Sequence, residues 1–135
     1  YYLPDRKVLF AGDTLFSAGC GRLFEGTAAQ MHESLERLMA LPGDTLLCCT
    51  HEYTLANLQF AAAVEPENKA IGQRQQEVES LLAQDLPSLP VRLAEERDYN
   101  PFLRCHLPSV AQAVQLAGAP VIEVFAALRA WKDGF

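Results

Sequence analysis

The sequence predicts an α/β unit that gives way to an all-helical segment, and three observations carry the prediction. Two short apolar runs, residues 7–12 and 45–51, bracket a stretch whose apolar residues recur at helical spacing. After His51 no further strand-like run is evident. From there to the C-terminus, amphipathic stretches follow one another, separated by proline, asparagine and glycine.

Taken in order, residues 7–12 form the first strand, and a loop holding Gly19, Gly21 and Gly26 follows. Thr27, three residues before Gln30, has the spacing of a capping box. Met31, Leu35, Leu38 and Met39 share one face of the helix that this box opens, and Pro42-Gly43 closes it. The second strand, "TLLCCTH", completes a strand–helix–strand unit, for which a right-handed crossover is expected. Thr54 is the expected cap of a helix carrying Leu55, Leu58, Phe60 and Ala61, which ends before Pro66. A longer polar helix over residues 68–84 turns Ile71, Val78, Leu81 and Leu82 to one side. "LPSLPV" is a proline-broken connector, and "YNPF" is a turn because the residue before proline avoids the helical region. Two last helices, residues 109–116 and 120–131, flank Gly118. The expected boundary falls at residue 53, between an α/β portion (1–53) and a helical portion (54–135).

At 135 residues, half of them apolar, the chain has the composition of a globular protein. No apolar run nears the ~20 residues of a membrane span. A net charge of −6 argues against nucleic acid as a partner. Cys20, Cys48, Cys49 and Cys105 show no disulfide-like spacing, so reduced thiols in the cytoplasm are expected. The first residues, "YYLPDRKVLF", carry neither a signal peptide nor an initiating methionine, and suggest a piece of a longer chain.

Asp13 and His51 both fall just past a predicted strand, at the layer edge where α/β folds gather their ligands. Either residue alone would be read as a turn former or a hydrogen-bonded strand end. Their shared edge raises the functional reading. Arg129 and Lys132 are three apart and share a helical face, which by itself is a solvated helix end.

Four motifs, "GDTLFSAGCGRLFEGTAAQM", "HEYTLANLQFA", "YNPFLR" and "LRAWKDGF", resemble in order and spacing the glyoxalase II (hydroxyacylglutathione hydrolase) family of the metallo-β-lactamase superfamily. The resemblance implies the second part of a metallo-β-lactamase αββα fold, followed by the family's all-helical C-terminal domain. It also implies hydrolysis of S-D-lactoylglutathione to glutathione and D-lactate with two divalent metal ions, Zn, Fe or Mn. Asp13 matches the carboxylate that bridges the metals, and His51 matches a ligand of the second ion. Arg22, Tyr53, Arg129 and Lys132 match the residues that hold glutathione, the last two at its glycine carboxylate. Phe24 stands where some members carry tyrosine, so one hydroxyl contact is lost. Cys20 is expected to pack rather than react, Tyr99, Asn100 and Pro101 to be structural, and His32 and His106 to lie at the surface.

The superfamily motif T-H-x-H-x-D-H is absent, so the metal centre is incompletely liganded and the chain alone is expected to be inactive. The expected partners are the glutathione thioester and a missing N-terminal half of the same protein, the whole being a monomer. Two other readings remain at this point: a persulfide dioxygenase with a single iron, and a non-catalytic glutathione-binding fragment.

Overall fold

The computed structural model describes all residues, 1–135. It is a mixed α/β structure. Its strands are β1 (Tyr2–Leu3), β2 (Val8–Gly12), β3 (Leu15–Phe16), β4 (Gly19–Cys20), β5 (Leu46–Cys49) and β6 (Val91–Arg92). Its helices are α1 (Ala28–Met39), α2 (Thr54–Val64), α3 (Lys69–Ala83), α4 (Leu93–Tyr99), α5 (Pro108–Ala113) and α6 (Val121–Gly134), with one 3-10 turn at Pro101–Leu103.

Four strands form one sheet in the order β1-β2-β5-β6. β2 and β5 run parallel with Leu9 beside Leu47 and Phe10 beside Cys48, and α1 makes the crossover between them. Leu9, Ala11 and Leu47 point into the core, while Phe10 stands half-exposed on the opposite face. The register slips between Phe10 and Gly12. Gly12 sits at φ +56, a left-handed conformation that suits glycine, and the bulge turns the chain out of the sheet just before Asp13.

α1 begins as the spacing predicts. Thr27 accepts from the Gln30 amide, and the Gln30 side chain accepts from the Thr27 amide. Leu35 and Met39 bury against the sheet core together with Phe60, Phe102, Phe125 and Leu128 of the helical portion. A second, smaller cluster joins Ala18 to Leu58, Ala61, Ile71, Val78 and Tyr99.

Several expectations are refined. Thr54 is the first helical residue of α2 rather than its cap; Tyr53 occupies the cap position, and the Thr54 hydroxyl accepts from Ser88 at 3.0 Å instead. The connector returns one short strand, β6, to the sheet beside β5, and α4 follows it directly. α5 starts at Pro108 and stops at Ala113, short of residue 116. His32 is largely buried, its ring edge-on to Phe125 at 5.6 Å between centroids, so the surface expectation is corrected; His106 is exposed as expected. Asn100 is fully buried, its side chain accepting from the Phe102 amide, which confirms "YNPF" as a structural turn.

Candidate active site

Past the ends of β2 and β5 the parallel pairing brings two side chains together. His51 Nε2 lies 3.7 Å from Asp13 Oδ1. Both are open to solvent, with side chains 48% and 72% exposed, so neither is spent on the core. The His51 ring stacks on Tyr53 at 4.9 Å and 20°, and Phe16 meets Tyr53 edge-on at 5.3 Å. This aromatic wall fixes the imidazole from one side while leaving its Nε2 edge toward Asp13.

The pair stands on a cleft of about 520 Å³, and all six residues singled out from the sequence line it. Arg22 projects from the glycine-rich loop with its side chain 64% exposed, Nε 4.0 Å from Asp133 Oδ1. Lys132 places Nζ 5.5 Å from the centroid of Phe60 and 5.9 Å from that of Phe135. Burial, followed by the charges of Arg129 and Arg22, pushes the Lys132 ammonium below its ordinary value. The cleft is thus lined by a carboxylate and an imidazole together with cationic side chains, within an acidic chain.

Arg129 lines the cleft, yet its guanidinium is buried and most of its donors are committed to the protein. Its Nη1 donates to the Cys20 carbonyl at 2.8 Å and to the Gly21 carbonyl at 3.4 Å. Its Nε and Nη2 reach Asp133 Oδ1 at 3.1 and 2.9 Å, and its Cζ lies 5.1 Å from the Phe102 ring centroid. A guanidinium has five N–H donors, so at most one remains for a ligand. Arg22 and Lys132 carry the accessible charge.

Cys20 also lines the cleft, yet burial pushes its thiol up to about 11 despite Arg129 beside it. It stays protonated at neutral pH and packs, as the sequence suggests. Phe24 is 85% exposed at the cleft mouth and offers an apolar edge without a hydroxyl.

The donor set fits part of a metal centre. A carboxylate and a neutral imidazole suit Zn, Fe and Mn alike, and Asp13 has no lysine or arginine within 4.0 Å. Nowhere in the chain do three or more His, Cys, Asp or Glu side chains converge, so these residues supply two donors and no complete site.

Two contributors escaped the sequence reading. Asn57, on the buried face of α2, lines the cleft and donates from Nδ2 to the Ser17 carbonyl at 3.1 Å. An amide at the buried spacing of Leu58 and Ala61, within the largely apolar "LANLQFAAAV", was the available signal. Gly21 lies so close to Asp13 that an added Cβ would fall 1.8 Å from the Asp13 carbonyl oxygen; nothing in the sequence announces a contact of that kind.

Comparison with known proteins agrees with this architecture. Residues 1–51 match the family model described as metallo-beta-lactamase superfamily, and residues 52–135 match that described as hydroxyacylglutathione hydrolase C-terminus. A hydroxyacylglutathione hydrolase of Aeromonas salmonicida is 60% identical over 132 residues, covering 95% of this chain and 52% of the relative. Its counterpart in Rhodopseudomonas palustris is 53% identical over 98% of this chain and 52% of the relative. That of Bartonella tribocorum is 51% identical over the whole chain and 53% of the relative. The chain spans about half the length of the curated relatives it matches. With a family model covering most of its length, the chain belongs to the hydroxyacylglutathione hydrolase C-terminal family.

Proposed function

We propose that this chain is the second part of a thioester hydrolase that cleaves S-D-lactoylglutathione to glutathione and D-lactate. Residues 1–53 complete a metallo-β-lactamase-like domain, and residues 54–135 shape the substrate cleft. The observation that carries the reading is the lining of that cleft, which gathers the Asp13–His51 pair and the cations Arg22 and Lys132 around one space. A glutathione thioester has matching chemistry: a reactive carbonyl, and anionic carboxylates several bonds away.

Asp13 and His51 would hold divalent ions, with the remaining ligands contributed by the other half of the protein. Such ions, when bound, supply hydroxide at neutral pH and polarise a carbonyl. The chain's own residues do the rest. Tyr53 and Phe16 keep the His51 ring in place, and Tyr53 lies where its ring can pack along the tripeptide. Lys132 and Arg22 attract the carboxylates, and the low-polarity rings under Lys132 strengthen that attraction. Phe24 closes the wall by packing alone.

The test uses the complete protein. It should turn over S-D-lactoylglutathione and hold close to two metal ions per chain. Asp13→Ala should lower both metal content and turnover. Close to one iron per chain, with oxygen consumed on a glutathione persulfide, would replace this reading by the dioxygenase one. Full occupancy by two metals in Asp13→Ala would show that Asp13 is not a ligand.

A further inference from the structure

The turn of the β3–β4 hairpin is unfavourable on its own. Ala18 sits at φ +58, a left-handed conformation that non-glycine residues seldom adopt. It is held there by a side chain distant in sequence. Glu96, fully buried in α4, accepts from the Ala18 amide at 2.8 Å through Oε2 and from the Ser17 hydroxyl at 2.7 Å through Oε1. Asn100, one turn on, donates to Glu96 Oε2 at 2.9 Å, to the Gly19 carbonyl at 3.1 Å and to the Phe16 carbonyl at 3.3 Å. Asn57 takes the Ser17 carbonyl, and Arg129 takes those of Cys20 and Gly21. Every carbonyl from Phe16 to Gly21 except that of Ala18 is therefore gripped by a side chain of the helical portion.

The hairpin in turn touches the reacting end of the cleft. Gly21 donates its amide to the Thr14 carbonyl at 3.1 Å and lies directly against the Asp13 backbone, while Phe16 backs Tyr53. We infer that Glu96 is a positioning residue for the proposed hydrolase: it holds the hairpin tip, and through the hairpin it sets the placement of Asp13 and Arg22. The inference rests on the proposed function for its kinetic consequence, and on geometry alone for the clamp.

Burial pushes the Glu96 carboxyl above its ordinary range. In its neutral form one oxygen accepts and the other shares a hydrogen with the Ser17 hydroxyl, an arrangement that a glutamine reproduces. Glu96→Gln should therefore keep the clamp, whereas Glu96→Leu removes it.

Both variants would be made in the complete protein, with Leu35→Ala as the control, since Leu35 is buried in α1 and its apolar side chain takes part in none of the hairpin's hydrogen bonds. Three quantities would be measured: exchange of the Ala18 amide, metal content, and kcat/KM. Displacement of a catalytic group by about 1 Å costs on the order of a hundredfold. Glu96→Leu should lower kcat/KM by about that factor and speed Ala18 exchange at least tenfold. Glu96→Gln should stay within threefold of the wild type in both. Leu35→Ala should lose thermal stability but hold kcat/KM within threefold.

Near-wild-type kinetics and exchange in Glu96→Leu, or an equal kinetic loss in Leu35→Ala, would overturn the assignment. Should Glu96→Leu fail to fold, Ser17→Ala carries the test. It removes one clamp bond and should still speed Ala18 exchange and lower kcat/KM; no change in either refutes the role. A wild-type protein with no thioesterase activity would sink the functional reading, and Ala18 exchange would still decide whether Glu96 holds the hairpin.

Discussion

Gly21→Ala offers the sharpest quantitative test of the site geometry. The new Cβ would lie 1.8 Å from the Asp13 carbonyl oxygen and 3.0 Å from its carbon. A relaxed carbon–oxygen contact is about 3.3 Å, so the loop and the Asp13 backbone must separate by roughly 1.5 Å. Gly21 lies outside the left-handed region, so the whole cost is steric. Neither atom can rotate away, because the oxygen is backbone and the Cβ position is fixed by backbone, and Arg129 also holds the Gly21 carbonyl. Overpacking of this kind costs about 1–3 kcal/mol, which for the complete protein lowers Tm by roughly 2–12 °C. Since the displaced group is Asp13, kcat of the complete protein should fall by about a hundredfold. Calorimetry and steady-state kinetics on the same preparation measure both. Gly72→Ala is the matched control: Gly72 lies within α3 with open space around its Cβ position, and alanine should stabilise by about 0.5–1 kcal/mol. Wild-type kcat and Tm in Gly21→Ala would refute the argument that the glycine-rich loop seats Asp13.

Other outcomes follow from the charges. Lys132→Ala should raise KM about tenfold with kcat nearly unchanged, because its contact with a remote carboxylate is the same in substrate and transition state; a fall in kcat with constant KM would move Lys132 to the reacting end. Arg129→Lys should raise KM and also lower Tm, since a lysine cannot replace a fork that binds Cys20, Gly21 and Asp133 at once; kinetics and melting of one sample separate the two effects. For Glu65, burial would raise the carboxyl, but hydrogen bonds from Arg104 and Ser109 win and hold it below its ordinary 4.5. Its contribution is present above pH 4.5 and is lost as pH falls through the lower folded value, so the ~1–3 kcal/mol deficit of Glu65→Gln at pH 7 should shrink in acid; a constant deficit in pH-dependent denaturation contradicts this. Glu96 has the opposite sign: burial raises its folded value, and its contribution, complete below 4.5, declines as pH rises through that value. Glu96→Gln should therefore gain stability relative to the wild type as pH rises above 4.5.

What the sequence revealed depended on whether the cause was local. The capping box at Thr27 and the placement of Asp13 and His51 past two apolar strands follow from neighbours a few residues away, and the structure has both. β6 could not be read: two residues after a proline make a strand only because the free edge of β5 is there to pair with. Glu96 sits in the charged stretch "LAEERDYN", to which the sequence reading assigns no element, and is a fully buried group beneath the hairpin. Arg129 illustrates the reverse case. Its position at the cleft was legible from the motif, but the use of its N–H groups was not, because Cys20 and Gly21 lie more than a hundred residues away.

The unequal surroundings of the four thiols make the sheet a ready-made labelling target. Burial pushes Cys20 up to about 11, and Cys49 and Cys105 up to about 12, so an alkylating reagent near pH 8 finds almost no thiolate at those three. Cys48 pairs in register with Phe10, on the face of β5 that the helices leave uncovered. A fluorophore attached there would sit beside the half-exposed Phe10. Its emission would report, without any assay of turnover, when another polypeptide settles on the sheet and shuts water out.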